Sequence, residues 1–314
     1  MINSNSFDIK WFLSRFGALL ALLILVIVIG SIRPEFRTIG NFISILRQSS
    51  INGLIAFGMT GVILLGAIDL SVGSILALSS MLCAAMLASG VSLWIAIPVT
   101  LLLGITMGFI NGTFVTLGKL QPFIATLVTM TIFRGFALIF SGGRPISNLG
   151  NSEFLFWLGR GAFLGIPIPV WVLGIAFGLY FFILNMTTMG RQIYATGSNA
   201  SAAMLAGVKV NKVKVMVYGI SGLLASMSGI ILLSRLGSAQ PISGVGYELD
   251  AIAAVVLGGT SMNGGRGRIY GTLLGILIIA VMNNGMNIIG VSSYFQSVLK
   301  GLVILLAVLP DRSR

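Results

Sequence analysis

The chain has no histidine, a single cysteine (Cys83) and only seven acids in 314 residues. Without histidine, and with one thiol, neither a His- or Cys-built metal site nor a disulfide framework can form. Seven acids leave little for acid–base chemistry, and no catalytic constellation emerges from them. Nucleotide-binding signatures are missing too. "GKL" at 118–120 lacks the glycine and the Ser/Thr of a phosphate-cradling GxxxxGK[ST] loop, and "GGRGRIYG" at 264–271 has Tyr270 where GxGxxG needs its last glycine. Charge is scarce as well. Charged residues make up 8% of the chain, against about a quarter in a soluble domain. What fills the space is 56% hydrophobic residues and 41 glycines, the composition of a chain dissolved in lipid.

Ten apolar segments are expected as membrane spans: 16–32, 42–67, 71–89, 93–117, 123–140, 170–185, 215–233, 250–257, 269–289 and 294–309. The eighth is too short and too glycine-rich to cross as a plain helix, so it is expected to be broken or re-entrant. The first follows Lys10 and Arg15 but is longer than a usual signal core, and no small-x-small cleavage site follows it before Arg33. It is read as a retained span. The net charge of +12 lies in the gaps between spans, which favours a membrane over nucleic acid as its reason. With both termini cytoplasmic, the inner gaps hold eleven basic residues (10–15, 119, 191–214, 266–268, and Arg312 with Arg314). The outer gaps hold five, and Arg47, Arg134 and Lys300 fall inside spans. That bias fits the positive-inside rule.

An internal repeat supports the same layout. "GMTGVILL" (58–65) returns as "SMSGIILL" (226–233), and "LLGITMGFINGTFVTLGKLQPF" (102–123) returns as "LLGILIIAVMNNGMNIIGVSSYF" (273–295). The offset of about 170 residues is five spans, an odd number, so two copies would lie inverted in the membrane. Each copy puts an acid at the end of one span and a small-residue run at the start of the next: Asp69 in "GAIDLSVGSIL" (66–76) and Asp250 in "YELDAIAAVVLGG" (247–259). An ionised Asp at the centre of a membrane helix costs about 2.5–3.5 kcal/mol. Asp69 is therefore expected to cap a helix beside a transport path, with direct substrate contact or a lipid-interface position as the other readings. Asn111, Asn283, Asn284 and Asn287 sit within apolar spans at matching places. They suit either a path for a neutral polyol or interhelical hydrogen bonds. Gly104, Gly108 and Gly112, like the pairs Gly174–Gly178 and Gly271–Gly275, predict close helix packing.

The longest inner gap reads "GRQIYATGSNASAAMLAGVKVNKVKV" (190–215). Asn199 is a good N-cap, 200–206 is mostly strong helix former, and Gly207 is a natural stop. A rigid helix of about two turns is predicted, its small alanines suited to a groove on another protein.

Several long stretches resemble the permease subunits of sugar ABC importers, the carbohydrate class 2 family. They are "INGLIAFGMTGVILLGAIDLSVGSILALSS" (51–80), "PFIATLVTMTIFRG" (122–135), 190–210, "SAQPISGVGYELDAIAAVVLGGTSMNGGRGRIYGTLLG" (238–275) and 283–309. Ala67 stands where that family usually has glycine. The resemblance implies an all-α polytopic protein: one permease domain over 1–314, with halves at about 40–140 and 212–309 and a coupling loop at 186–214. It implies an inner-membrane homodimer that moves ribose or a related monosaccharide. A sugar-binding protein would dock outside and a separate ATP-binding subunit inside, with no cofactor in this chain. Arg191, Asn199, Ala203 and Gly207 would belong to the coupling segment. A rival reading is an ion-coupled secondary transporter, which needs a buried titratable site. Asp69, Glu248 and Asp250 are the available acids, and all lie near span ends in the sequence.

Overall fold

The computed structural model describes residues 9–150 and 153–309. The basic residues Arg312 and Arg314 lie outside that range. The described residues form an all-α bundle. Its first half contains α1 (Ile9–Ile32), α2 (Ile39–Leu64), α3 (Val72–Ala88), α4 (Leu93–Thr116) and α5 (Pro122–Ser141). A short α6 (Glu153–Arg160) and a two-residue hairpin, β1 (Ala162–Phe163) with β2 (Ile166–Pro167), lead into α7 (Ile168–Met186). Then come α8 (Thr188–Ser198), α9 (Ala200–Leu205), α10 (Val210–Leu236), α11 (Tyr247–Leu257), α12 (Ile269–Ile289) and α13 (Ser293–Val308).

Each apolar segment of the sequence forms a helix, because lipid leaves the backbone no partner but itself. Helices α4, α5, α7, α10 and α12 are long and apolar enough to cross a membrane, while Gly17–Ile32, Val72–Ala88 and Ser293–Leu306 are apolar but shorter. With 11 residues, α11 cannot reach across a hydrocarbon core of about 30 Å at about 1.5 Å per residue. That agrees with the expected break.

Helices α2 and α10 form the centre and pack on each other. Around them the neighbours alternate: α10 lies on α3 and α4, and α2 lies on α11 and α12. Helix α3 touches α4 and α5, and α11 touches α12 and α13. Hydrophobic burial does not drive helices together in lipid, so backbone proximity has to. Gly104 lies against Ser226 and the Gly222 carbonyl, Gly108 against Tyr218 and Gly219, and Gly112 against Val215. That stripe seats α4 directly on α10. Gly271 and Gly275 do the same for α12, against the carbonyls of Gly258 and Ala254 in and after α11. The third pair behaves otherwise. Gly174 and Gly178 of α7 have nothing within 4 Å, so their spacing reflects an open helix face and not a contact inside this chain.

Candidate functional site

Asp69 sits between α2 and α3 and is fully buried, at 0% exposure. Its Oδ1 accepts from the Ser71 backbone N–H at 3.0 Å and from Ser71 Oγ at 2.6 Å, and its Oδ2 accepts from Ser221 Oγ of α10 at 3.0 Å. Asn111 of α4 extends the network, donating from Nδ2 to Ser71 Oγ at 2.6 Å. Next to it, Thr126 of α5 donates to the Ile68 carbonyl at 3.3 Å. The bond to the Ser71 N–H is a helix-start contact of the kind expected from "DLSVG", although regular helix begins one residue after Ser71, which makes no side-chain cap itself. A wholly buried carboxylate does not face lipid.

Asp250, in the first turn of α11, is 4% exposed. Its Oδ2 accepts from Lys300 Nζ of α13 at 3.0 Å, from Asn283 Nδ2 of α12 at 3.2 Å and, at the limit, from Asn52 Nδ2 of α2 at 3.5 Å. The Lys300–Asp250 pair is the ion pair found among the described residues. The buried carboxylate of this pair needs extra hydrogen bonds to offset its desolvation, and the two amides supply them.

The two acids lie at helix starts, as expected from the sequence, and both are buried inside the bundle. Ser221 lies well inside α10, and Asn283 and Lys300 lie well inside α12 and α13. The reason is that the connections before α3 and α11 dip into the bundle and the two first turns abut. A Cβ on Gly73 would collide with the Gly244 carbonyl and approach Glu248 Oε2 at 2.7 Å. Arg134 of α5 holds that dip, donating from Nη1 to the carbonyls of Pro241 and Ser243, both at 2.7 Å.

The amides divide. Asn111 and Asn283 are buried beside the acids, and each keeps an Oδ1 without a partner. Asn284 instead pairs reciprocally with Asn41 of α2, at 2.8 and 3.1 Å. Asn287 is exposed and accepts from Gln296 at 2.8 Å. Sequence reasoning offered Ser71 as a helix cap beside Asp69 but missed Ser221 and Asn52, which look like ordinary polar residues in apolar helices. Lys300 carried a usable signal: a lone cation inside an apolar span calls for an acid.

The inner loop forms two helices, of which only the second was expected. Asn199 Oδ1 accepts from the Ala202 N–H at 3.0 Å and starts α9. Gly207, at φ +85°, ends it: its N–H bonds the Met204 carbonyl and the Val208 N–H bonds the Ala203 carbonyl. Left-handed backbone there suits glycine. The expectation for Ala203 needs correction. It is 5% exposed, because α9 packs on α8 and α10 and Ala203 lies on the covered side. The displayed side chains are Met204 and Leu205, 61% and 91% exposed. Arg191 lies exposed on α8.

A bundle of apolar helices around two buried, hydrogen-bonded acids is the frame of a polytopic membrane protein. Residues 41–308 match the family model described as branched-chain amino acid transport system / permease component, and the chain belongs to that family of ABC importer permeases. It is 54% identical to the ribose import permease protein RbsC of Bacillus subtilis (strain 168) over 302 residues, 96% of this chain and 94% of that one. It is 48% identical to the protein of the same name from Escherichia coli (strain K12) over 316 residues, covering 100% of this chain and 98% of that one. Identity to the D-allose transport system permease protein AlsC of Escherichia coli (strain K12) is 39% over 308 residues, 98% of this chain and 94% of that one. No solved structure matches significantly.

Proposed function

We propose that this chain is the membrane permease subunit of an ATP-driven importer that carries ribose into the cytoplasm. The observation that carries the reading is the 48–54% identity, over nearly the whole length of both chains, to ribose import permeases. In this reading a sugar-binding protein delivers the sugar outside. A separate ATP-binding subunit, seated against α8 and α9, supplies the energy, and two copies of the chain make the pathway in the inner membrane. The layout is ten crossings with both termini cytoplasmic, in two inverted halves. The exchange of neighbours supports that symmetry: α3 with α4 and α5 in one half corresponds to α11 with α12 and α13 in the other, each lying on the opposite half's central helix. Asp69 and Asp250, with Asn111 and Asn283, are the polar groups placed beside the path.

The burial of both acids lends an ion-coupled transporter one argument, since such a protein needs titratable groups inside the bundle. Ribose uptake in cells lacking the gene, complemented with it, decides between the two. Uptake is expected to survive collapse of the proton gradient while ATP is maintained, and to stop when ATP is depleted. Loss with the gradient alone would replace the importer reading with the ion-coupled one.

A further inference from the structure

Four helices converge on Asp250, and they leave hydrogen-bonding capacity unused in a place where lipid makes such waste expensive. All three contacts land on Oδ2, from Lys300, Asn283 and Asn52. Oδ1 has none. Asn283, 4% exposed, spends its amide on the carboxylate and keeps a buried Oδ1 without a partner. Lys300 has three N–H donors, and one of them is committed to Asp250. Its side chain is 29% exposed, so the site opens on that side.

A second polar contact also holds α13. Gln296 and Lys300 are four apart on α13, and Asn283 and Asn287 are four apart on α12, so each pair shares a helix face. Gln296 donates to Asn287 Oδ1 at 2.8 Å, one turn from the Lys300–Asp250 pair. Polar contacts thus tie α13 to α12 through Gln296–Asn287 and to α11 through Lys300–Asp250, where methyl groups would pack as well.

We propose that Asp250, Asn283 and Lys300 form a subsite that binds hydroxyl groups of the transported sugar, an inference that rests on the importer reading above. A hydroxyl donates one hydrogen bond and accepts others. Two neighbouring hydroxyls can donate to Asp250 Oδ1 and Asn283 Oδ1 while one accepts from Lys300. The ion pair is neutral as a unit, so the site suits an uncharged polyol and disfavours phosphorylated or carboxylated solutes. Asn52 orients the pair, Gln296 ties α13 to Asn287, and Lys300 is the group that meets the sugar first.

A purely structural role, anchoring α13 to α11, is the competing explanation, and two variants separate them. Asp250→Asn combined with Lys300→Met removes both charges at similar size, and replacing both members of a buried pair is close to neutral for folding. Asn283→Ala keeps the ion pair and removes the free acceptor. Uptake of ribose and of 2-deoxyribose is measured with the assembled importer at matched membrane levels. The same binding protein serves every variant, so its own selectivity cancels in the comparison. The expected result is slow ribose uptake in both variants, with the ribose-to-deoxyribose ratio falling about tenfold from its wild-type value, the effect of losing one or two hydrogen bonds. Wild-type uptake and ratio in the double variant would overturn the subsite. Slow uptake with an unchanged ratio would overturn it as well and leave the anchor. Failure of the wild-type chain to import either sugar is a different failure, that of the importer reading, and takes the subsite with it.

Discussion

Asp69 is held by three hydrogen bonds from Ser71 and Ser221, and they explain how an acid persists with no solvent. Both donor residues are serines, whose hydroxyls can turn to accept as well as donate. Asp69→Asn therefore keeps most of the network: one side still accepts and the new amide can donate to a hydroxyl. Asp69→Leu strands the Ser71 N–H and leaves the hydroxyls of Ser71 and Ser221 without their acceptor, at about 1–3 kcal/mol for each buried group left unpaired. Thermal stability of the purified protein in detergent is expected to fall slightly for Asn and severely for Leu, with transport following the same order. Equal stability but equal loss of transport in both variants would mean that the negative charge, and not the hydrogen bonds, is what matters. Residue spacing alone showed that Asp69 starts a helix. It could not show Ser221, 152 positions away, because which face of α10 meets the α2–α3 turn depends on how α4 seats on that helix.

At the scale of an element, α9 presents a sharp contrast between its faces. Ala203 is covered, while Met204 and Leu205 are displayed on a helix capped at both ends. A large apolar side chain held rigidly in the open is a docking feature on the importer reading. Leu205→Glu should leave membrane level and topology unchanged and sharply reduce co-purification of the ATP-binding subunit, with Leu205→Met restoring it. Unchanged association in Leu205→Glu would remove α9 from the contact. Ala203→Arg acts differently: the long side chain has no room on the covered face, so α9 should detach from α8 and α10, seen as faster proteolysis near 200–207. Gly207→Val adds strain of about 1–2 kcal/mol, because a β-branched residue resists left-handed backbone. The N-cap and the stop were legible because they are local. The orientation of α9 was not, since a run of small residues looks alike on every face.

For the whole molecule, the proposed orientation rests on the eleven-to-five distribution of basic residues between alternating gaps, and the exchange of helix neighbours between halves fits two inverted copies. Reporters fused after Gly150 are expected to read outside, and those after Asn211 inside. A cytoplasmic signal at Gly150 would break both the ten-crossing count and the inversion, because an even shift between halves makes them parallel. The same geometry places the beginnings of α3 and α11 against each other, through Gly73 and Gly244. A side chain as small as alanine at Gly73 should therefore lower the level of folded protein in the membrane, measured by fluorescence-detected size exclusion.

By itself the sequence determined the solvent, the ten apolar helices, the short eighth segment and the cap and stop of α9. Each depends on a run of neighbouring residues: hydropathy over one span, a side chain within three positions of the N–H it caps, a glycine at a left-handed turn. The tertiary structure alone decided that Lys300 belongs to Asp250, that Arg134 holds the turn at Pro241, that Ala203 faces inward and that the Gly174–Gly178 stripe meets nothing. These depend on the rotation of each helix about its axis and on which backbones come close. In a chain where nearly every face is apolar, hydrophobicity barely distinguishes one rotation from another. The choice falls to a few glycines that admit a neighbour's backbone and a few polar groups that must find partners.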